Sequence, residues 1–324
     1  METRLGIIGT GRIANRFGSD GWQGLGVRLA AVYNPNLKSA KLYASKYGLP
    51  IGTDDWDAFV KQIDAAYIAS PTPSHEEYIR RLLEGGKHVL CEKPMVLKEG
   101  EAKELFRFAR EKELILMEAI KTAYCPGFGA LLEIIKEGRI GEVRDVEACF
   151  TKLAEPGLRE FNDRASGGSM TELGTYGCFA VLKILGCDYS DMRFAVQRNG
   201  CGIDIFTKVF FEYGEGGKTG LVKSGLGVKS EGELIVSGTK GYILAEAPWW
   251  LAKGFEVRYE DSLKRDRYDY TYTGNGLHYE LGCFLDKIQG RHREDFVKAR
   301  ESIALAGIME SFLEAEKAYR IPTV

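Results

Sequence analysis

Histidine is scarce in this chain, with four in 324 residues (His75, His88, His278 and His292), and none stands at a metal-ligand spacing such as H-E-x-x-H. A zinc-dependent reaction is thereby disfavoured, because its ligands would have to converge from distant parts of the sequence; no metal is expected. The seven cysteines (Cys91, Cys125, Cys149, Cys178, Cys187, Cys201, Cys283) are odd in number, scattered and without a C-x-x-C pair. That pattern speaks against a disulfide framework and for reduced, mostly buried thiols. No apolar run approaches the roughly 20 residues of a membrane helix, and the acidic start Met1-Glu2-Thr3-Arg4 does not open a secretory signal. A cytoplasmic protein without a membrane partner is expected. Charge of one sign is also missing: 44 Lys+Arg stand against 46 Asp+Glu, and a net charge of -2 gives no electrostatic case for nucleic acid. Internal repeats and low-complexity linkers are absent as well.

Glycine, in contrast, is plentiful at 39 residues, and its placement is informative. In Leu5-Gly6-Ile7-Ile8-Gly9-Thr10-Gly11-Arg12-Ile13-Ala14 an apolar run suited to a buried strand breaks at Gly9 and Gly11. Ala14 takes the third position of a G-x-G-x-x-G/A pattern. The first glycine permits a tight strand-to-helix turn, the second lets backbone approach a pyrophosphate, and the small third residue keeps helix close to sheet. The following helix N-terminus offers N–H groups and a positive dipole end to phosphates. This stretch, Gly9, Thr10, Gly11, Arg12 and Ile13, is a candidate dinucleotide turn. A plain strand-turn-helix is the alternative, since the pattern alone arises by chance in a glycine-rich chain.

Up to Met117, strand-like runs (Leu5 to Ile8, Val27 to Tyr33, Ala65 to Ser70, His88 to Cys91, Leu114 to Met117) alternate with helical patterns. Repeated βαβ units and a parallel sheet covered on both faces follow. Ser74-His75-Glu76-Glu77 matches a capping box ahead of the stripe Ile79, Leu82 and Leu83. Beyond residue 120 the segments Val143 to Phe150, Ile203 to Tyr213, Lys218 to Ser224, Glu233 to Ser237 and Phe255 to Tyr259 read as longer strands joined by turns. In Ile203 to Tyr213, Ile205, Thr207, Val209 and Phe211 alternate with Asp204, Lys208 and Glu212, which puts the latter on a wetter face. Helices are expected near Tyr279 to Ile288 and Asp295 to Tyr319. The fold class is α/β: residues 1–120 form a parallel-sheet domain, and 121–324 an α+β domain with a large, mostly antiparallel open sheet.

Cys91-Glu92-Lys93-Pro94 lies at the carboxyl end of an expected strand, where open α/β sheets place their ligands. A G-x-G-x-x-A turn followed by a strand ending in E-K-P resembles the glucose-fructose oxidoreductase, inositol dehydrogenase and rhizopine-catabolism (Gfo/Idh/MocA) family. Further matches are Ser70-Pro71-Thr72-Pro73-Ser74-His75, Met117-Glu118-Ala119, Gly138-Arg139-Ile140-Gly141-Glu142-Val143 and Gly167-Gly168-Ser169-Met170-Thr171-Glu172-Leu173-Gly174-Thr175-Tyr176. The resemblance implies a nicotinamide-binding Rossmann domain at residues 1–120. It implies cofactor contacts from Ser70, Pro71, Thr72, His75, Glu92, Lys93 and Glu118, with Lys93 beside nicotinamide and substrate and the Lys93-Pro94 bond cis. It also implies a homodimer or homotetramer formed through the C-terminal sheet. Family members carry an Asp and, four positions on, a His or Tyr after the Gly-Gly stretch; here those positions hold Glu172 and Tyr176. The Tyr form is similar to the branch containing glucose-fructose oxidoreductase and dihydrodiol dehydrogenase. Tyr176 is therefore the catalytic candidate, with Lys93 and Glu172.

The chemistry agrees. Removing hydride from a carbinol requires loss of the hydroxyl proton, and the reverse requires its delivery. A phenol with an ordinary pKa of roughly 10 is a poor base at neutral pH, and an ammonium such as Lys93 favours the phenolate and polarises a carbonyl. The alternatives are a Tyr176 that merely packs, and a Glu172 that is a first-turn carboxylate favoured by the helix dipole. His75 belongs to a helix edge near the cofactor. His278 either reaches the substrate or packs, and Lys121, where the dihydrodiol branch often has an aromatic, argues with Ala123 for a polar sugar or polyol over an aromatic diol. Trp249, in Pro248-Trp249-Trp250, either walls a sugar site or anchors a core or a dimer interface, and Arg164 in the loop Asn162-Asp163-Arg164 contacts hydroxyls or an anion, with loop solvation the default.

An acidic residue after the second strand receives the adenosine ribose in NAD enzymes, and a basic one accommodates the phosphate of NADP. Here Asn34 holds that position and Lys38 follows, so the repulsion that excludes NADP is missing; NADP or NAD is expected, with a lean to NADP. The expected function is an NAD(P)-dependent oxidoreductase acting on a sugar, polyol or derivative. The alternatives are a redox-neutral enzyme with tightly held NAD(P) running transient oxidation and elimination, and a non-catalytic cofactor-binding protein.

Overall fold

The computed structural model describes residues 2–155, 157–163, 166–214, 216–291, 295–314 and the backbone of 319–320. The chain divides into two compact units, one built from Met1–Tyr124 and Thr273–Ala306 and the other from Cys125–Tyr272 and Gly307–Val324.

The first unit alternates strand and helix as its sequence period demands: β1 (Thr3–Ile8), α1 (Arg12–Asp20), β2 (Val27–Tyr33), α2 (Leu37–Tyr47), β3 (Ile51–Thr53), α3 (Trp56–Val60), β4 (Ala65–Ile68), α4 (His75–Glu84), β5 (His88–Glu92), α5 (Glu99–Glu111), β6 (Leu116–Ala119) and the short α6 (Lys121–Tyr124). The six strands pair in the order β3-β2-β1-β4-β5-β6, all parallel. Ala65 to Ile68 and Val89 to Cys91 are wholly buried, as strands covered on both faces must be. Strand order reverses between β1 and β4, and the crevice outside the carboxyl ends at such a reversal is where these sheets bind ligands.

The second unit holds α7 (Pro126–Lys136), β7 (Val143–Thr151), a π-helical turn at Met170–Gly174 that runs straight into α8 (Thr175–Leu185), and the strands β8 (Asp191–Arg198), β9 (Asp204–Tyr213), β10 (Lys218–Gly225), β11 (Leu234–Gly238), β12 (Tyr242–Ala245), β13 (Gly254–Arg258) and β14 (Arg265–Asp269). The chain then adds α9 (Leu277–Ile288), α10 (Ala299–Leu313) and the two-residue β15 (Tyr319–Arg320). The second sheet runs β14-β13-β12-β11-β7-β10-β9-β8-β15; β10 with β7 and β15 with β8 are its parallel pairs, and the rest are antiparallel. Helix α8 lies on β7 and β10 through Gly177, where a Cβ would come within 2.5 Å of Val222 Cγ1, and Gly220 receives Val181 the same way at 2.7 Å.

Four expectations change. The single boundary near residue 120 gives way to a chain that returns to its first unit at Thr273, because α9 buries Leu277, Leu281, Phe284 and Leu285 with α6, α1 and β5 as its packing partners. The capping box does not form: the Ser74 hydroxyl donates to Pro71 O at 2.7 Å and meets Ser70 Oγ at 2.8 Å, and a 3-10 turn at Thr72–Ser74 leads directly into α4. Asp204 is buried, not on a wet face. The last helix is Ala299–Leu313 rather than residues 295 to 319, and 315–318 lie outside the described residues.

Candidate active site

In the first unit the β1 turn is tightly constrained. Gly9 has φ +99°, donates its N–H to Tyr33 O at 2.9 Å, and would place a Cβ 2.7 Å from Ala69 O, just past β4. Only glycine accepts that backbone and that approach. Gly11, the residue ahead of α1, has nothing within 4 Å of where its Cβ would stand. Helix α1 has no side-chain cap and no acidic residue in its first turn, which leaves the helix end suited to an anion. Ala14 is fully buried, and its carbonyl accepts from Tyr43 OH at 2.6 Å. An open cradle at Gly11 beside an uncapped helix end fits a dinucleotide pyrophosphate. Thr10 to Gly11 hold Asn15 through its side-chain amide, while Arg12 is exposed and Ile13 half-buried.

Asn34 is built into the same turn. Its amide nitrogen donates to Thr10 Oγ1 at 2.9 Å, and its Oδ1 accepts the Asn36 N–H at 2.8 Å. Lys38 sits exposed in the first turn of α2.

The loops after β4 and β5 are tied together by His75. Its Nε2 lies 2.9 Å from Ser70 O, and its Nδ1 3.1 Å from both Pro94 O and Met95 O, with the ring fully buried. Burial pushes the imidazole pKa down, and the three carbonyls pull against that. Ser70, Pro71 and Thr72 thus share a strap with the segment that follows Lys93. The Lys93-Pro94 bond is cis. Glu92, immediately before it, is buried; its Oε1 accepts a hydrogen bond from the Tyr67 hydroxyl at 2.5 Å and its Oε2 accepts the Lys93 N–H at 3.3 Å. Burial raises the Glu92 pKa, opposed by Lys93 and Tyr67. Glu118 accepts the Met95 N–H at 2.9 Å, and burial pushes its carboxyl up to about 7. Lys121 donates to Asn275 O at 3.3 Å, in the loop before α9, and His278 is half-buried in the first turn of α9, its ring 4.7 Å from that of Tyr279.

In the second unit the Gly167-Gly168 turn is filled from behind. Gly168 has φ +96°, and a Cβ there would lie 1.9 Å from Asp204 Oδ1. Asp204 Oδ2 accepts from Ser169 Oγ at 2.7 Å, Met170 N at 2.8 Å and Thr207 Oγ1 at 3.0 Å. Burial raises its pKa and those donors resist the rise. Asp204 anchors the π-helical turn that delivers Glu172 and Tyr176. Glu172 accepts from Arg159 at 2.6 Å, and Arg159 also reaches Ser166 at 2.6 Å and Asp163 at 3.2 Å. Through Arg159, Glu172 ties the π-helical turn to Ser166 and Asp163. Tyr176, 9% exposed, lies 5.4 Å from the Phe150 ring, which stacks on Trp250 at 3.5 Å.

Trp249 is a core residue: it is 1% exposed and gives its indole N–H to Cys149 O at 2.8 Å, so the aromatic next to Tyr176's neighbour is Trp250. Arg164 lies outside the described residues. The sequence passed over Arg159 and Tyr67 and misplaced Asp204. Alternation along the strand put Asp204 on a wetter face and gave no sign of its buried anchoring role, whereas Tyr67, in an apolar run, reads as core until its hydroxyl finds Glu92. Among the described residues no three His, Cys, Asp or Glu side chains cluster as a metal centre, all seven cysteines are free, and no helix is long and apolar enough to cross a membrane.

Comparison with known proteins agrees with this fold. The chain is 29% identical over 333 residues to trans-1,2-dihydrobenzene-1,2-diol dehydrogenase of Sus scrofa, covering 97% of each chain, and 27% identical over 328 residues to the Homo sapiens enzyme, again covering 97% of each. Among solved structures it resembles a 3-ketoreductase from Actinomadura kijaniata in complex with NADP and TDP-benzene (21% identity, TM-score 0.86, 99% of this chain and 100% of the other). It also resembles UDP-N-acetylglucosamine 3-dehydrogenase from Acidithiobacillus ferrooxidans (20% identity, TM-score 0.82, 97% of this chain and 100% of the other). Residues 3–120 match the oxidoreductase family with NAD-binding Rossmann fold, and 128–244 match the GFO/IDH/MocA C-terminal domain. The chain belongs to the Gfo/Idh/MocA family of NAD(P)-dependent oxidoreductases.

Proposed function

We propose that this enzyme interconverts a secondary hydroxyl and a ketone on a sugar, polyol or sugar derivative, with Tyr176 as the proton carrier and Lys93 as the cation that holds the reacting oxygen. The observation that supports it best is the composition of the sheet end: an open Gly11 cradle at the β1/β4 reversal, and the Lys93 turn braced by Glu92 and His75. A charge-dense sheet end suits a hydroxyl-rich substrate better than an aromatic diol. The bound nicotinamide supplies the hydride acceptor or donor. Tyr176 takes the hydroxyl proton during oxidation and returns it during reduction, and the charge of Lys93 stabilises an oxygen bearing negative charge. Glu118 and Glu92 keep the segment around Lys93 in place through Met95 N and Lys93 N.

NADP is the favoured cofactor, because Asn34 carries no charge to repel a ribose phosphate and exposed Lys38 attracts one. The enzyme is assigned to the cytoplasm, and two copies pair through the open sheet of the second unit, whose Phe210 is exposed. An absorbance screen of sugars, sugar acids, inositols, nucleotide sugars and trans-dihydrodiols with NADP and NAD tests the assignment. Turnover of a hydroxyl-rich substrate with NADP supports it; a strict preference for the aromatic diols, or for NAD, overturns the corresponding part. Bound cofactor with no net turnover across the panel would point to redox-neutral chemistry instead.

A further inference from the structure

Helix α9 carries a carboxyl group that the reaction as described does not use. Glu280, in its first turn, is 0% exposed, and neither of its oxygens makes a hydrogen bond among the described residues. A carboxylate without donors in such a place is strongly disfavoured, so the group takes up a proton unless a cation neutralises it. The elements packed on α9 decide which. Strand β5 brings Glu92, a like charge that opposes ionisation of Glu280, and α6 brings Lys121, which favours it, as well as buried Tyr124, whose hydroxyl is committed to Glu118 O at 2.9 Å. Helix α1 brings Asp20, engaged with the Asn275 side chain at 2.8 Å. On α9 itself stand His278, Tyr279 and Cys283.

The one cation in this set that faces Glu280, Lys121, is shared: it also faces Glu92 and donates to Asn275 O. Glu92 has the stronger claim to ionise, since it already accepts from the Tyr67 hydroxyl and the Lys93 N–H. Two buried carboxyls of like charge separate into one that keeps its charge and one that keeps a proton.

We propose that Glu280 is the proton-holding partner of Glu92, and that by staying neutral it leaves Glu92 charged to brace the backbone of Lys93. Glu280 is a positioning residue acting through Glu92, an inference that rests on Lys93 serving the reaction as assigned above. When Glu280 also ionises as pH rises, two buried like charges face each other, and their repulsion loosens the brace on the Lys93 turn.

Three measurements on the full-length enzyme test this. Infrared spectra at neutral pH show the carbonyl stretch of a protonated carboxylic acid, and Glu280→Gln removes part of it. The folded state holds a proton on Glu280 that the unfolded chain releases above its ordinary value near 4.5. Stability from this group is therefore full below that value and falls as pH rises, so the unfolding midpoint of E280Q relative to wild type climbs steadily from pH 5 to pH 8. Finally, the ratio of kcat at pH 9 to kcat at pH 7 rises about threefold or more in E280Q, because the ionisation that loosens Lys93 is gone. Glu280→Leu provides a second variant if E280Q fails to fold, with the same direction in both pH profiles. Parallel unfolding profiles for variant and wild type, or no lost carbonyl band, overturn the proton-holding role; a changed unfolding profile with an unchanged kcat ratio overturns the link to Lys93. Lys93→Met separates the two levels: full activity in that variant defeats the assigned function, while the E280Q infrared and unfolding results still stand or fall alone.

Discussion

At Gly9–Gly11 and at Gly167–Gly168 the backbone turns sharply into a helix, and the two turns differ in what lies behind them. The first leaves Gly11 facing open space and α1 without a side-chain cap. The second is packed by the chain itself, with Asp204 filling the space beside Gly168 and accepting the Ser169 hydroxyl and the Met170 N–H. A helix start that supplies its own acceptor is a structural device, and one that does not is ready for a ligand's anion. In the proposed function the first turn binds the cofactor, and the second aims a side chain.

The aimed side chain gives the largest expected effect. Tyr176→Phe keeps the ring against Phe150 but removes the proposed proton carrier, so kcat is expected to fall about 100- to 10,000-fold while cofactor affinity, measured by fluorescence titration, stays within about twofold. An unchanged kcat would remove Tyr176 from the chemistry.

The turns themselves separate next. Gly168→Ala puts a Cβ against Asp204 at a positive φ and costs about 3 kcal/mol or more in denaturant unfolding. Gly11→Ala meets no protein atom, so it leaves unfolding within about 0.5 kcal/mol of wild type and instead weakens NADP binding about tenfold or more. Equal stability losses in both would erase the distinction between the turns. Asp204→Ala strands the buried Thr207 hydroxyl and the buried Met170 N–H and costs about 2–4 kcal/mol, read as a shift of the urea midpoint.

Smaller effects sharpen the binding turn. Asn34→Asp adds a charge beside Thr10 and moves the NADP-to-NAD ratio of kcat/KM about tenfold toward NAD. Glu118→Gln changes pH dependence rather than level. The folded state holds the Glu118 proton up to about 7 against an ordinary 4.5, so the stability it contributes is full below about 4.5 and lost as pH rises through about 7. The midpoint of E118Q relative to wild type accordingly rises between pH 5 and pH 8, as calorimetry would show.

The sequence carried the first unit well, because β1, β2, β4 and β5 are buried on both faces and their apolar runs have no other explanation. Edge strands escaped it. Residues Arg265-Asp266-Arg267-Tyr268-Asp269 form β14, exposed at alternate positions and charged, which protects a sheet edge and erases the hydrophobic signal. The three residues of β3 are too few for any periodicity. Helix α9 was legible as a helix, but an amphipathic stripe does not say which core receives it, so its return to the first unit came only from the structure. Of the site, the backbone devices were visible: the glycines, and Lys93-Pro94. Side-chain commitments were not. That Glu172 is held by Arg159, that Trp249 is spent on Cys149 O, and that His75 spans two loops are facts of three-dimensional proximity with no local pattern.

The most direct measurement uses NADPH deuterated at the transferable position of the nicotinamide C4, incubated with the enzyme and a keto-sugar. The account predicts deuterium on the carbinol carbon of the reduced product, one label per NADPH consumed. Product formed without label at that carbon would contradict direct hydride transfer and, with it, the central assignment.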